Sequence, residues 1–313
     1  MRRLEFSLLS SDGKSRLHGM CWLPKEEPRA VLQISHGMMD YMERYDEFAR
    51  FMAESGIAVY GHDHLGHGHT PLDAEDLGYF SDKEGSVCVI KDIHRVRRIA
   101  EGRHPGVPYF LLGHSMGSFF VRKYLMVHGE GLAGALILGT GGQPKDLVRL
   151  GRFLSGVVVR LKGPRYRSKL LHRMVLGSFN LSFEPAKTPF DWISRDQKIV
   201  AKYALDPLTQ FRFTAQAYYD MFTVVLSLSD KKGLARIPKG LPCIFLSGAR
   251  DPVGDFTIGV RRASRQLRQA GMRRVERRFY PGARHELLNE INRADIYRDI
   301  LQLMVLQIPV RSL

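Results

Sequence analysis

The sequence is short of cysteine and of acid. Three cysteines, Cys21, Cys88 and Cys243, are scattered over 313 residues, odd in number and each in an apolar surround. No disulfide framework is expected from them; they read as reduced core thiols of a cytoplasmic protein. No run of about 18 apolar residues occurs, the longest candidates being short stretches such as 133–138, so no spanning helix is expected. The first fifteen residues carry two arginines and an apolar patch broken by Glu5 and Ser7, which is not the pattern of a signal peptide. Internal repeats and low-complexity segments are lacking too. With 44% hydrophobic residues the chain is ordinary globular material and not a disordered polymer.

Against 47 Lys and Arg stand only 32 Asp and Glu, a formal charge of +15. Eight arginines fall between Arg261 and Arg278, and the stretch from Lys145 to Arg173 holds nine basic residues against the single acid Asp146. Solvated helix faces account for such runs in the simplest case. A second reading is attraction to an anionic membrane or an acidic substrate, worth roughly 1 kcal/mol per basic residue near a charged bilayer. Nucleic acid is disfavoured, because no zinc-finger, helix-turn-helix or ribonucleoprotein pattern accompanies the charge and stacking aromatics are not interleaved with it.

Along the chain, short apolar runs alternate with helical periodicity, the pattern of a mostly parallel sheet covered on both faces. Eight strands are expected at 4–9, 16–22, 30–35, 57–61, 107–112, 134–138, 243–247 and 275–280. Between them, helices are expected at 45–55, 86–101, 116–128, 258–270 and 294–306. From Gly141 to Arg236 the alternation stops. That stretch offers helices at 145–161, 167–177, 196–203 and 214–228 but no strand, so residues 1–140 and 237–313 are expected to form an α/β core carrying 141–236 as a helical cap. Ser194 followed by Gln197 resembles a capping box. The first of these helices has more apolar residues than one buried face needs. Packing inside the cap is the first explanation, and an interfacial or acyl-facing helix is the other.

Gly113, His114, Ser115, Met116, Gly117 follow the fifth strand and precede a helix, the setting of a nucleophile elbow. Small residues flank the serine because the turn is strained, and the hydroxyl stands at a helix N-terminus where developing negative charge is favoured. A lone serine is a poor nucleophile and needs a base with an orienting acid. Those partners should follow it, just past the carboxyl ends of later strands. The seventh strand ends in Gly248, Ala249, Arg250, Asp251, with Asp255 a competitor deeper in the loop; the eighth ends in Pro281, Gly282, Ala283, Arg284, His285. For the oxyanion, the backbone N–H of Met116 and that of Met38, in the loop His36, Gly37, Met38, Met39, Asp40, are the expected donors. His62, His64, His67 and His69 around Asp63 invite a metal reading. The spacing is not H-E-x-x-H and the glycines forbid a helix, so a Gly-rich turn with Asp63 holding backbone amides is preferred.

Ser35-His36-Gly37 with Glu43-Arg44-Tyr45, the run His62 to Gly68, Gly113 to Gly117, Asp251 and His285 together resemble the monoacylglycerol lipase and lysophospholipase-like branch of the α/β-hydrolases. The resemblance spans about residues 17 to 300 and is weakest in the cap. It implies an eight-stranded α/β-hydrolase fold with Ser115 as nucleophile, His285 as general base and acid, and Asp251 orienting it. Met38 and Met116 are implied as oxyanion donors, and the insertion as a lid. A small acyl ester or lipid is the implied substrate, with no metal or organic cofactor. Met38, Met39 and Asp40 stand where animal lipases have small residues, and are expected to narrow the entrance. Amide, peptide or thioester cleavage on the same residues remains open, as does a non-catalytic binding protein. A cytoplasmic location with peripheral membrane contact through the basic cap is the accompanying expectation.

Overall fold

The computed structural model describes residues 1–308 and contains the eight expected strands: β1 Arg2–Leu9, β2 Arg16–Leu23, β3 Ala30–Ser35, β4 Ile57–His62, β5 Tyr109–His114, β6 Gly134–Leu138, β7 Cys243–Gly248 and β8 Val275–Tyr280. They form one sheet in the order β1-β2-β4-β3-β5-β6-β7-β8. The pairs β1/β2 and β2/β4 are antiparallel, and every pair from β4/β3 to β7/β8 is parallel. Strands β3, β4, β5, β6 and β7 are buried along their whole length. Such strands read as unbroken apolar runs because helices cover both faces of the sheet. Two large apolar clusters fill the space between sheet and helices, one containing Leu111, Phe120 and Phe245, the other Leu32, Phe48 and Leu246.

Outside the strands stand α1 Asp46–Glu54, α2 Gly85–Arg103, α3 Met116–His128, α4 Lys145–Lys162, α5 Lys169–Leu176, α6 Gln197–Leu205, α7 Ala215–Ser227, α8 Lys231–Arg236, α9 Ile258–Gln269 and α10 Arg293–Val305. Gly56 closes the α1 end with φ +82°, the left-handed conformation expected of a C-terminal glycine. Among the described residues between β6 and β7 there are only helical elements, α4 to α8, with no strand. The sequence pattern did not indicate α8, which is six residues long and started by Asp230 accepting from the Lys232 and Gly233 amides.

Three local expectations are corrected. The fifth strand begins at Tyr109 and runs on through Gly113 and His114, so the elbow turns directly out of the strand. The capping box at Ser194 does not form: Asp196 caps α6 by accepting from the Lys198 N–H, while the Ser194 hydroxyl donates to the Asn289 carbonyl. Asp and Ser cap about equally well, so position decides: Asp196 directly precedes the first turn, two residues nearer than Ser194. Packing explains only part of the apolar surplus of α4. Val148, Gly151 and Ser155 are buried against α7, with Gly151 under the Phe222 ring, but Leu150, Phe153 and Leu161 are 51%, 67% and 72% exposed.

Candidate active site

The parallel strands deliver their carboxyl ends to one edge of the sheet, and the order of strand addition reverses between the parallel neighbours β3 and β5, whose following connections lie on opposite faces. Such a switch point opens a crevice between the two loops. The loop after β3 brings Gly37, Met38 and Met39 into it, and the turn after β5 brings Ser115 and Met116. Ser115 has φ +52° and ψ −120°, left-handed and unfavourable for a residue with a Cβ. Its N–H donates to the Leu138 carbonyl at 3.0 Å, fixing the turn to β6. The flanking glycines are required by contact: a Cβ on Gly113 would lie 2.6 Å from the Gly117 carbonyl oxygen, and one on Gly117 would collide with the Ser35 carbonyl.

Asp251 and His285 come from the loops after β7 and β8 and meet across the adjacent strands. His285 Nδ1 lies 3.0 Å from Asp251 Oδ1, which also accepts from the Val253 N–H at 2.9 Å. Both side chains are buried. Asp255 is exposed and only Asp251 bonds the ring. With Nδ1 engaged, the other ring nitrogen of His285 is left for the cavity that Ser115 also lines. Burial alone would push the imidazolium down; the Asp251 charge and hydrogen bond, with Glu286 and Asp40 behind them, carry it above the ordinary histidine value. Trp192 stands against the ring with centroids 5.0 Å apart, and the His285 and Glu286 amides donate to the Trp192 and Ile193 carbonyls. The stretch between β6 and β7 thus holds the histidine loop from above.

The cavity measures about 250 Å³ and is mainly apolar, with Phe119, Leu147, Val148, Met174, Phe179 and Phe222 among its walls. Met38 and Met116 border the same space as Ser115. Met38, Met39 and Asp40 all line it, but Asp40 is not an obstruction at its entrance. It is 3% exposed and accepts from the Gly37 N–H at 3.2 Å, bracing the loop from within.

Sequence reasoning missed how far that brace extends. Arg44 donates to Asp40 Oδ1 at 2.8 Å and grips both oxygens of Glu286 at 2.9 and 2.6 Å, with the Tyr203 ring 4.7 Å from its guanidinium. The Tyr45 hydroxyl donates to Asp40 Oδ2 at 2.6 Å and lies 3.0 Å from His114 Nδ1, an arrangement that places a proton on that nitrogen. Burial works against the Asp40 carboxylate, yet Arg44 and the two neighbouring histidines hold it well below the usual range. One ion cluster therefore joins the loop after β3, the loop after β8 and α6. Asp40 and Arg44 at a spacing of four were the available signal; Glu286, 242 residues away from Arg44, offered none.

His62 at the end of β4 and His64 and His67 of the loop after it are buried, whereas His69 is exposed. Asp63 accepts from the Met42 and His69 amides, as the turn reading required. His36 Nδ1 donates to the Gly37 carbonyl and its Nε2 accepts from the His64 N–H; His67 Nδ1 donates to the Leu65 carbonyl. These rings pin the loops beneath the crevice.

Comparisons with known proteins agree with this architecture. The family model described as serine aminopeptidase, S33, matches residues 26–292. The monoglyceride lipase homolog of Monkeypox virus is 30% identical over 86% of each chain, and the monoacylglycerol lipase of Mycolicibacterium smegmatis is 24% identical over 91% of each. A solved structure of a highly thermostable carboxyl esterase from Bacillus coagulans, in complex with glycerol, is 31% identical and matches with a TM-score of 0.91 over 99% of this chain and 100% of that one. The chain belongs to the serine aminopeptidase S33 family and is a serine hydrolase with the α/β-hydrolase fold, of the monoacylglycerol lipase type.

Proposed function

We propose that the protein hydrolyses acyl esters of monoacylglycerol or lysophospholipid type, with Ser115, His285 and Asp251 as a catalytic triad. The observation that carries this reading is the 3.0 Å contact between His285 and Asp251 at the wall of the apolar cavity that also holds Ser115 in its left-handed turn. His285 takes the Ser115 proton as Oγ adds to the ester carbonyl; the tetrahedral oxyanion is received by the Met38 and Met116 amides. Collapse breaks the bond to the alcohol, which leaves with the proton from His285. Water, deprotonated by the same ring, then attacks the acyl-serine and releases the acid. Each oxyanion donor contributes about 3–4 kcal/mol to the transition state.

The domain division follows the same reading: residues 1–140 and 237–308 are the catalytic core and 141–236 the cap that walls the acyl pocket, while 309–313 of the expected core lie outside the described residues. Ester cleavage is preferred over removal of N-terminal amino acids because the two acids at the cavity, Asp40 and Glu286, are both spent on Arg44. Neither is free to hold a substrate ammonium. Ser115→Ala is expected to abolish hydrolysis of a short p-nitrophenyl ester and labelling by a fluorophosphonate. A panel of matched acyl esters and amides should be cleaved in favour of the esters; Ser115-dependent turnover of the amides alone would reverse the assignment.

Exposed Leu150, Phe153 and Leu161 lie on one helix with exposed Arg149 and Arg160, a combination suited to the surface of an anionic bilayer. No helix among the described residues is long and apolar enough to cross a membrane. Three free, buried thiols fit a reducing cytoplasmic setting. The protein should sediment with anionic vesicles more than with neutral ones, and Phe153→Ser should weaken that binding. Equal recovery with both vesicle types would remove the membrane from the reading.

A further inference from the structure

Behind the acyl pocket lies a second cavity, of about 380 Å³, whose charge is all of one sign. Arg122 of α3, Arg262 and Arg265 of α9 and Lys145 at the start of α4 line it, and no Asp or Glu does. Arg122 is 4% exposed. Its Nη1 donates to two neutral acceptors, the Gly141 carbonyl at 2.9 Å and the Thr140 hydroxyl at 3.2 Å, and its Nε is buried without a partner. Other buried arginines here have carboxylates: Arg44 has Asp40 and Glu286, and Arg97 has Glu101. Arg122 has none, and the one titratable group acting on it is the Cys243 thiol, which burial pushes up to about 12 and keeps neutral.

A buried cation without a counter-charge is costly unless something outside the chain supplies one. The surroundings are built to receive it. Helix α4 opens at this cavity from Pro144, with no side chain capping its first amides, so its positive end adds to the arginines. The space exceeds by far the roughly 10–15 Å³ that one water needs. Water can hydrate the guanidinium but brings no negative charge.

We propose that this cavity binds a compact oxyanion of phosphate type, seated on Arg122 and flanked by Arg262, Arg265 and Lys145. Planar guanidinium groups suit such oxygens because each can donate two parallel hydrogen bonds. Gln143, Val148 and Val225 line both this cavity and the acyl pocket, so the partition between them is one side chain thick. The oxyanion is either free phosphate or the headgroup of an amphiphile lying alongside.

Titration calorimetry of the full chain with inorganic phosphate at low ionic strength, against chloride at matched ionic strength, tests the site. Saturable binding is expected with phosphate and not with chloride. Arg122→Met and the surface double variant Arg262→Ala/Arg265→Ala should each weaken it by at least about tenfold, the loss of one charge-assisted contact. In phosphate-free buffer the double variant should keep wild-type turnover of a p-nitrophenyl ester, which separates this site from the ester-hydrolase reading. Should Arg122→Met fail to fold, the double variant decides alone. A lysophosphatidate added to the Ser115→Ala protein assigns the source: displacement of phosphate identifies the headgroup, retention identifies the free anion. Absence of saturable phosphate binding, or undiminished binding in the double variant, overturns the proposal.

Discussion

Acidification should unfold this protein through its histidines. Burial pushes His62 and His67 down to about 3 and holds His64 well below the ordinary value, so all three stay neutral in the fold at pH 5. Released into water near 6.5, each takes up a proton on unfolding. Asp220 works the other way: burial pushes it up to about 7, so it is protonated in the fold and loses its proton on unfolding at the same pH. Over these four groups the net uptake is about two protons, and His36, also lowered by burial, adds to it in the same direction. Because the unfolded chain binds more of them, stability falls as the pH falls, by at least about 2.7 kcal/mol per pH unit. Between pH 6 and pH 4 this amounts to about 5 kcal/mol, comparable with the whole margin of a modestly stable domain. His18 and His285 are raised, so both are protonated in either state in this window and add nothing to the slope; their stabilisation is present below about 6.5 and is lost above it. Urea unfolding at pH 6, 5 and 4 measures the slope. His67→Phe should cut it by about 1.4 kcal/mol per pH unit, at a cost of about 1 kcal/mol for the lost bond to the Leu65 carbonyl. Asp220→Asn should steepen it by about 1.4 kcal/mol per pH unit. Identical slopes in the three proteins, or a wild type that gains stability on acidification, would refute this account.

Three further outcomes test the site. Arg44→Met strands Asp40 and Glu286 as buried charges and should lower stability by about 3–5 kcal/mol, with kcat reduced through the loosened Gly37 loop; an unchanged Tm would show the cluster to be dispensable. The acid limb of kcat/KM should have its midpoint above about 6.5, because His285 must be neutral to act and the fold raises its value. Asp251→Asn should reduce kcat by roughly 10³–10⁴-fold, as loss of the orienting acid does in such triads; a rate profile flat from pH 5.5 to 8 would exclude His285 as the base.

What was legible in the sequence is what local pattern encodes. Parallel strands buried on both faces are unbroken apolar runs, so all eight were placed, and the strand-to-helix turn with its glycines picked out Ser115. That Asp251 and His285 would meet was legible because strand order confines the two loops to neighbouring strand ends. Long-range pairing was not. Nothing local ties Arg44 to Glu286, and a lone arginine on a helix gives no sign that Arg122 will be buried without an acid. The exposed side of α4 stayed between two readings for a related reason: apolar spacing tells how many residues could be buried, whereas the neighbouring surface decides how many are. Gly151 and Ser155 let α7 come close and leave Phe153 outside.

That placement makes α4 a partition with a different environment on each side. Val148 and Gly151 border the acyl pocket, Leu147 borders it while more than half exposed, and Leu150 and Phe153 face outward. The thickness of the partition is one helix, roughly 10–12 Å. An amphiphile resting on the outer face would have only that distance to travel and would pass along side chains as apolar as its own tail. Its transfer would then be a lateral step between two oily surfaces, without the desolvation and re-burial that capture from water demands.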